Sequence, residues 1–468
     1  MSAVVCVDFG STFTKAALVD LGSGELLATA SHPTTLPGAG GDGDVLDGYD
    51  ACVAALAAQD RRAVDAEVLA CSSAGGGLRI AVVGNEELVT AEAGRRVALS
   101  SGGKVVLVLH GGLDAAKLAE LRSAEPDVVL LVGGTDGGNA EVLEGDARFL
   151  SAVLWPGPVV VAGNVESQPV VGELLTGSAT PHVLADNVVP RIGVLAPEGA
   201  RRAIREIFLS HVIGGKHLSS RTDPRGRTFT SLVRGATPDV VLTGVELLAR
   251  GLDDRRPGAG DVVVVDVGGA TTDVHSVVEL DPEESGLARE VVAVTPVTRT
   301  VEGDLGMRWS AVSTVEAAGR DDLRAAAVRR REQPDLLPDT CPDPAVEREA
   351  DLDIAAAAVR LALERHAGRS RVVVSPEGRV VERSGKDLRE VDLMVGSGGV
   401  LRHGGPDAVR RVLGPATGDS FEGGWQLPRA PRVVVDHDYV LAAAGLLAAD
   451  HPDAAHRLLG GLRATGDR

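Results

Sequence analysis

Val262-Val263-Val264-Val265-Asp266-Val267-Gly268-Gly269-Ala270-Thr271-Thr272-Asp273 decides how this chain is read. Four β-branched residues in a row specify a buried strand, and an acid stands at its end. Two glycines follow, and two threonines open a return strand, Asp273-Val274-His275-Ser276-Val277-Val278. The pattern predicts a tight hairpin whose turn comes close to something else. The chain begins with the same pattern: Val4-Val5-Cys6-Val7-Asp8-Phe9-Gly10-Ser11-Thr12-Phe13-Thr14-Lys15, then Ala16 to Val19 as the return strand. Singly, each Asp could merely cap its turn through a local Asx bond. As a spaced pair with hydroxyl neighbours, the two read as functional.

Composition narrows the class. The 468 residues suffice for two to four domains. Aromatics make up 2%, so the core must be built from Val, Leu, Ala and Ile, and 58 glycines point to many tight turns. The net charge of -19 disfavours nucleic acid and anionic membrane as partners. The four cysteines show no CxxC spacing, so neither a zinc site nor an iron–sulfur cluster is expected. The absence of a leader pattern and of a long apolar run gives a cytoplasmic location as the expectation.

Outward from the hairpins, residues 25–31 read as a third strand of the first meander and 290–296 as the third of the second. Gly38, Gly40 and Gly43 fit GxGxxG, but Pro37 breaks any strand feeding it, so the match is set aside. From about 84 to 225, strands near 105–109, 128–132, 159–162 and 182–185 alternate with helices, which implies a parallel sheet. Within it, Gly133-Gly134-Thr135-Asp136-Gly137-Gly138-Asn139 follows a strand and opens a helix. Ser219–Arg227 reads as an exposed polar loop, Arg329-Arg330-Arg331 as a solvated helix face, and Arg299–Met307 as a glycine-containing turn entering a helix. Gly396-Ser397-Gly398-Gly399 follows a strand at 392–395.

A carboxylate fixed at a strand end can hold Mg²⁺, while turn amides and hydroxyls hold phosphate oxygens. Two such hairpins would clamp one polyphosphate, and Gly396–Gly399 would let a purine and ribose lie on bare backbone. Positioning and charge neutralisation supply most of what phosphoryl transfer needs. There is no GxxxxGK[ST] sequence, which disfavours a Walker-type NTPase.

The three motifs resemble the superfamily of actin, the heat-shock ATPase chaperones and the sugar kinases. Asp8-Phe9-Gly10-Ser11-Thr12 is similar to its first phosphate motif, Asp266–Asp273 to the second, and Val395–Gly399 to the adenosine motif. The resemblance implies an α/β fold of two duplicated ribonuclease-H-like lobes around an ATP cleft. The expected lobes are 1–83 with 226–258, and 259–468, with an inserted α/β subdomain at 84–225. A narrower resemblance rests on Asp8–Lys15, Cys71-Ser72-Ser73-Ala74-Gly75-Gly76-Gly77-Leu78, Gly133–Asn139 and Arg299–Met307. These look like the MutL family associated with glutamate mutase, which shares only a name with the DNA-repair protein. It implies an ATP-dependent reactivating chaperone that exchanges damaged cobalamin in an adenosylcobalamin-dependent mutase.

Carried over residue by residue, Asp8 and Asp266 serve Mg²⁺ and are the catalytic candidates. Gly10, Ser11, Thr12, Lys15, Gly268, Gly269, Thr271 and Thr272 would hold ATP phosphates, with Thr14 and Asp273 as further cofactor-binding residues. Gly396, Ser397, Gly398 and Gly399 would hold the adenosine, with Glu302, Gly303 and Asp304 near the ribose. The implied partner is a mutase subunit; self-assembly stays open. The alternative is a small-molecule kinase of the same superfamily, which needs a carboxylate base that Cys71–Leu78 lacks. A radical-dehydratase activator would need clustered cysteines, and a non-hydrolysing scaffold is the remaining reading.

Overall fold

The computed structural model describes residues 3–37, 43–75, 78–279, 295–375, 378–418 and 424–464. The chain divides into two compact units, each described by itself. The first holds Met1–Gly244 and Ala442–Leu458; the second holds Val245–Glu290, Val294–Leu441 and Leu459–Arg468.

The first unit opens with β1 (Ala3–Phe9), β2 (Phe13–Asp20) and β3 (Leu26–Pro33), an antiparallel meander in which Asp8 faces Lys15. Asp44 caps the helix Val45–Gln59 in a reciprocal capping box with Asp47. β4 (Glu67–Ser72) then pairs parallel to β1. Five strands follow, β5 (Leu78–Gly84), β6 (Gly103–His110), β7 (Val128–Leu131), β8 (Val159–Val161) and β9 (His182–Leu184). They form an all-parallel sheet in the order β6-β5-β7-β8-β9. β10 (Val233–Ala236) returns to the first sheet beside β4, giving β3-β2-β1-β4-β10.

In the second unit the small hairpin β11 (Gly251–Asp253) and β12 (Arg256–Pro257) precedes β13 (Val262–Val267), β14 (Thr272–Val277) and β15 (Val297–Glu302), again an antiparallel meander. After the hairpin β16 (Arg369–Ser375) and β17 (Gly378–Ser384), β18 (Leu393–Ser397) pairs parallel to β13 and β19 (Arg432–Val435) parallel to β18. The order β15-β14-β13-β18-β19 repeats the first sheet strand for strand, in sense as well as sequence. The fold is therefore α/β with two copies of one ribonuclease-H-like sheet, as the resemblance implied.

Both cores are aliphatic. Val5, Val7, Leu18 and Leu46 pack in the first, Val263, Val265, Val274 and Met394 in the second. Phe9 is one of the few rings and stands edge-on to Phe229 at 5.0 Å.

Several expectations need correction. Residues 290–294 lie outside the described residues, as do Gly38 and Gly40; the third strand of the second meander is 297–302, so Arg299–Glu302 is strand, not turn. The next helix starts only at Ala311. Arg330 is no solvated cation: it is 1% exposed and bonds Asp351 at 2.5 Å and Glu347 at 3.0 Å. The polar stretch 219–227 is a largely exposed loop, as expected, and it is pinned, with Arg221 on Asp47 and Asp50, each at 2.8 Å, and buried Asp223 on Arg227 at 2.6 Å.

Asp146, in the helix Glu141–Ala152 after β7, is 1% exposed, and its Oδ1 accepts the Leu113 N–H at 2.5 Å. Burial pushes its carboxyl up to about 6, against the opposing pull of that bond and Lys117. Because the folded value exceeds the unfolded one, the group costs nothing when both states are protonated and destabilises as pH rises through the folded value. Asp146→Asn is thus expected to stabilise the chain by about 2–3 kcal/mol at pH 8, and to have no such effect near pH 3, in denaturant melts across pH.

Candidate functional site

β1 alternates so that Phe9 enters the core while Asp8 takes the opposite face. The turn closes with the Gly10 N–H donating to Phe13 O at 3.2 Å. A Cβ on Gly10 would stand 2.5 Å from that same oxygen, so the turn's own backbone demands glycine here. Thr34 fixes the turn from outside, its N–H on Thr12 O and its hydroxyl on Gly10 O, both at 2.8 Å. Among the described residues, the backbone N–H groups of exposed Ser11 and Thr12 and the Ser11 hydroxyl have no partner. Two adjacent amides in one turn make an anion cradle.

Asp8 Oδ1 accepts the Thr237 hydroxyl at 2.5 Å and the Cys71 thiol at 3.7 Å. Burial pushes the Asp8 carboxyl above the usual range; Lys15, Thr237 and Cys71 pull the other way. Thr237 was not anticipated. It opens the helix Thr237–Arg250 directly after β10, at the carboxyl end of the parallel strands, where open α/β sheets place ligands. The signal available was Thr-Pro-Asp at a helix start, and the short strand before it, Val233-Arg234-Gly235-Ala236, is too mixed to read.

The second hairpin repeats this construction. Val267 enters the core, and the Gly268 N–H donates to Thr271 O at 2.9 Å. Among the described residues, the N–H groups of Gly269 and Ala270 have no partner, at the two positions matching Ser11 and Thr12. Their carbonyls are tied down by the Arg308 N–H at 2.8 Å and the Ser310 hydroxyl at 2.6 Å. A Cβ on Gly269 would meet the Trp309 ring at 2.7 Å, so packing requires this glycine. Asp266 lies opposite Asp273 on β14 and Ser397 on β18. Asp273 carries its own cation: Arg299, 4% exposed, donates to it at 2.6 Å, and Thr271 donates at 3.3 Å. Asp436, at the end of β19, is buried and caps the following helix by accepting the N–H groups of Val440 and Leu441. Burial pushes its carboxyl up, and Asp266 adds to the rise.

The remaining expected residues are placed unevenly. Thr14 and Thr272 are fully buried, with hydroxyls bonded to Thr34 and to Leu305 O, so they support the turns from within. Glu302 and Asp304 both bind Arg365, at 2.7 Å, with Gly303 between them. Gly396 lies inside β18, where a Cβ would strike Leu401 at 2.7 Å. Ser397 is buried, and Gly398 has φ +107 with its Cβ direction blocked by Val267 O. Gly399 alone of these glycines faces open space. Among the described residues no three His, Cys, Asp or Glu side chains gather as a metal cage, and no helix is long and apolar enough to cross a membrane.

Two copies of one sheet, each ending its first strand in an aspartate and a turn with two unpartnered amides, define the class. This is an α/β protein built on a duplicated ribonuclease-H-like sheet. The family model described as MutL protein matches residues 4–461. Protein MutL of Clostridium tetanomorphum is 35% identical over 474 residues, covering 98% of each chain. The chain belongs to the MutL family. Among solved structures it is similar to a carbohydrate kinase from Novosphingobium aromaticivorans, at 15% identity over 99% of this chain and 100% of that one, with a TM-score of 0.29. It is also similar to a gluconate kinase from Lactobacillus acidophilus, at 13% identity over 100% and 93%, with a TM-score of 0.36.

Proposed function

We propose that this chain is a Mg²⁺-dependent ATP-binding chaperone that reactivates an adenosylcobalamin-dependent mutase, glutamate mutase or a related enzyme, by exchange of damaged cobalamin. The observation that carries the nucleotide reading is the repeated pair of unpartnered amides, Ser11 and Thr12 in one sheet, Gly269 and Ala270 in the other. The mutase reading is supported by membership of the MutL family. In this reading 1–83 with 226–258, and 259–468, are the nucleotide-binding lobes, and the all-parallel sheet β5 to β9, whose first strand starts at Leu78 ahead of the expected boundary at 84, is available to the client.

The donors present fit Mg²⁺. Hard carboxylate oxygens at Asp8 and Asp266 suit it, and Mg²⁺ is ordinarily held by one or two carboxylates together with substrate phosphates and water rather than by a protein cage. When bound, it would neutralise phosphate charge. Lys15, opposite Asp8 in the register, adds a cation beside the first turn. Thr237 and Cys71 fix which way the Asp8 carboxylate faces. Glu302 and Asp304, paired by Arg365, and the open backbone at Gly399 are the candidates for ribose and adenosine contacts.

Purified chain, Mg²⁺, ATP and fresh adenosylcobalamin added to a mutase trapped with damaged cofactor should restore activity. No recovery with glutamate mutase or any related mutase rejects the client assignment. A second expectation concerns Thr237→Val. Removing a hydroxyl that lowers the Asp8 pKa should move the acid limb of ATP turnover upward by about one pH unit, since a hydrogen bond to a charged group contributes about 1.5–3 kcal/mol. An unmoved limb would separate Asp8 ionisation from turnover.

A further inference from the structure

The all-parallel sheet leaves one long edge open. In the order β6-β5-β7-β8-β9 the edge strands are β6 and β9, and β9 has only 3 residues. β6 has 8, and Val105-Val106-Leu107-Val108-Leu109 within it are apolar in succession. It pairs with β5 on one side, and among the described residues the N–H groups of 104–110 make no other hydrogen bond. A row of open backbone groups is a template for another strand, so natural edges are kept short or guarded by proline, charge or a bulge. The other edges here follow that rule. β10 and β19 have 4 residues each. β3 ends at Pro33 and takes the Gln59 amide on Thr29 O at 3.1 Å, and β15 carries Arg299 and Glu302. Within β6 the one irregularity is a bulge at Val106. It sorts the side chains: Val105 and Val108 lean on one core, Leu107 and Leu109 on another, and Val106 belongs to neither. Residues 105–108 all stay half-buried.

The two ends of β6 differ in charge. Exposed Lys104 stands at its start and makes no ion pair among the described residues. At its far end His110 lies 3.8 Å from Glu87. Glu87 opens the helical turn Glu87–Ala91, which leads into the helix Glu92–Ser100 packed on β6. Leu88, beside Glu87, is 70% exposed. Two copies of β6 running antiparallel about a two-fold near Leu107 set Lys104 of each copy against His110 and Glu87 of the other. That pairing satisfies the open backbone groups of both strands and puts unlike charges together at each end. It also lays the Lys104 stem toward Leu88, apolar against apolar. A parallel pairing would put lysine against lysine. The edge is therefore complementary to itself in one orientation, as an isologous contact requires.

We propose that β6 is a self-association edge, through which two copies of this chain join their parallel sheets across an antiparallel seam. The seam is one strand wide and buries less than a standard interface, so the dimer dissociates on dilution. The proposal rests on neither the nucleotide nor the mutase reading. The test is sedimentation of the full chain over about a hundredfold range of concentration, up to about 100 μM. The mass should rise toward that of two chains. Val106→Lys charges the edge at a residue outside both cores, so it should keep the fold and weaken association about tenfold or more. Lys104→Glu and Glu87→Lys each set like charges together and should each weaken it about three- to tenfold, while the double variant, with the charges exchanged, should restore it. Hydrogen exchange of the wild-type chain gives a reading that needs no variant: amides of 104–110 should gain protection as concentration rises. A chain that stays monomeric, a dimer that Val106→Lys leaves intact, or one that the charge reversals do not move overturns the proposal. Protection of 104–110 gained only when a mutase is added would give the edge to that protein and overturn the dimer.

Discussion

Asp8→Asn is expected to lower Mg²⁺-dependent ATP turnover by about 10²- to 10³-fold while the chain stays folded. The asparagine oxygen can keep the bonds from Thr237 and Cys71. What changes is charge, and the second oxygen becomes a donor that cannot serve a cation. Because burial already raises the Asp8 pKa, loss of the charge should leave melting at pH 7–8 unchanged or slightly improved. The paired variant Asp266→Asn should show the same loss, since Asp266 occupies the matching place in the duplicated sheet. Turnover by both variants within threefold of wild type would remove the two aspartates from the chemistry.

Gly398→Ala has the second large expected effect. Gly398 holds φ +107, a conformation that side chains rarely adopt, and its Cβ would overlap the Val267 carbonyl of β13. A rotamer change cannot relieve contact with backbone, and this carbonyl is fixed at the end of β13, the central strand of its sheet. The loss should be about 3 kcal/mol or more, enough to unfold much of a chain of ordinary stability. Gly399→Ala, one residue on, meets nothing within 4 Å and should melt within about 0.5 kcal/mol of wild type. If Gly399→Ala nevertheless weakens ATP binding, the open backbone there is a nucleoside contact. Equal melting of the two variants would contradict the packing described for β18.

The hairpins were legible because their strands are continuous valine runs with an acid and glycine at fixed offsets. The duplication was legible because the pattern occurs twice. What stayed hidden has physical causes. β15 buries Arg299 against Asp273 on one face and sets half-buried Thr300 against His366 on the other, so its polar residues do not alternate with apolar ones. β5, an interior strand of the inserted sheet, follows a glycine run that resembles a loop, and β10 is four residues of mixed character. Arg330 looked solvated because its partners, Glu347 and Asp351, lie in a different helix. The motif glycines were noticed for a ligand, yet most are fixed by the fold: Gly10 and Gly268 by their own turns, Gly269 by Trp309, Gly396 by Leu401. Local sequence indicated where small residues were needed, not what stood beside them. Thr237 belongs to the site only because β10 pairs with β4, a pairing of residues far apart in the chain.

The most direct measurement is calorimetric titration of the full chain with ATP, with and without Mg²⁺, alongside Asp8→Asn and Asp266→Asn. One ATP should bind per chain, more tightly with Mg²⁺, and each substitution should abolish the Mg²⁺ enhancement. ATP that fails to bind the wild-type chain, or that binds both variants with the full Mg²⁺ enhancement, would contradict the assignment of the twin hairpins to nucleotide.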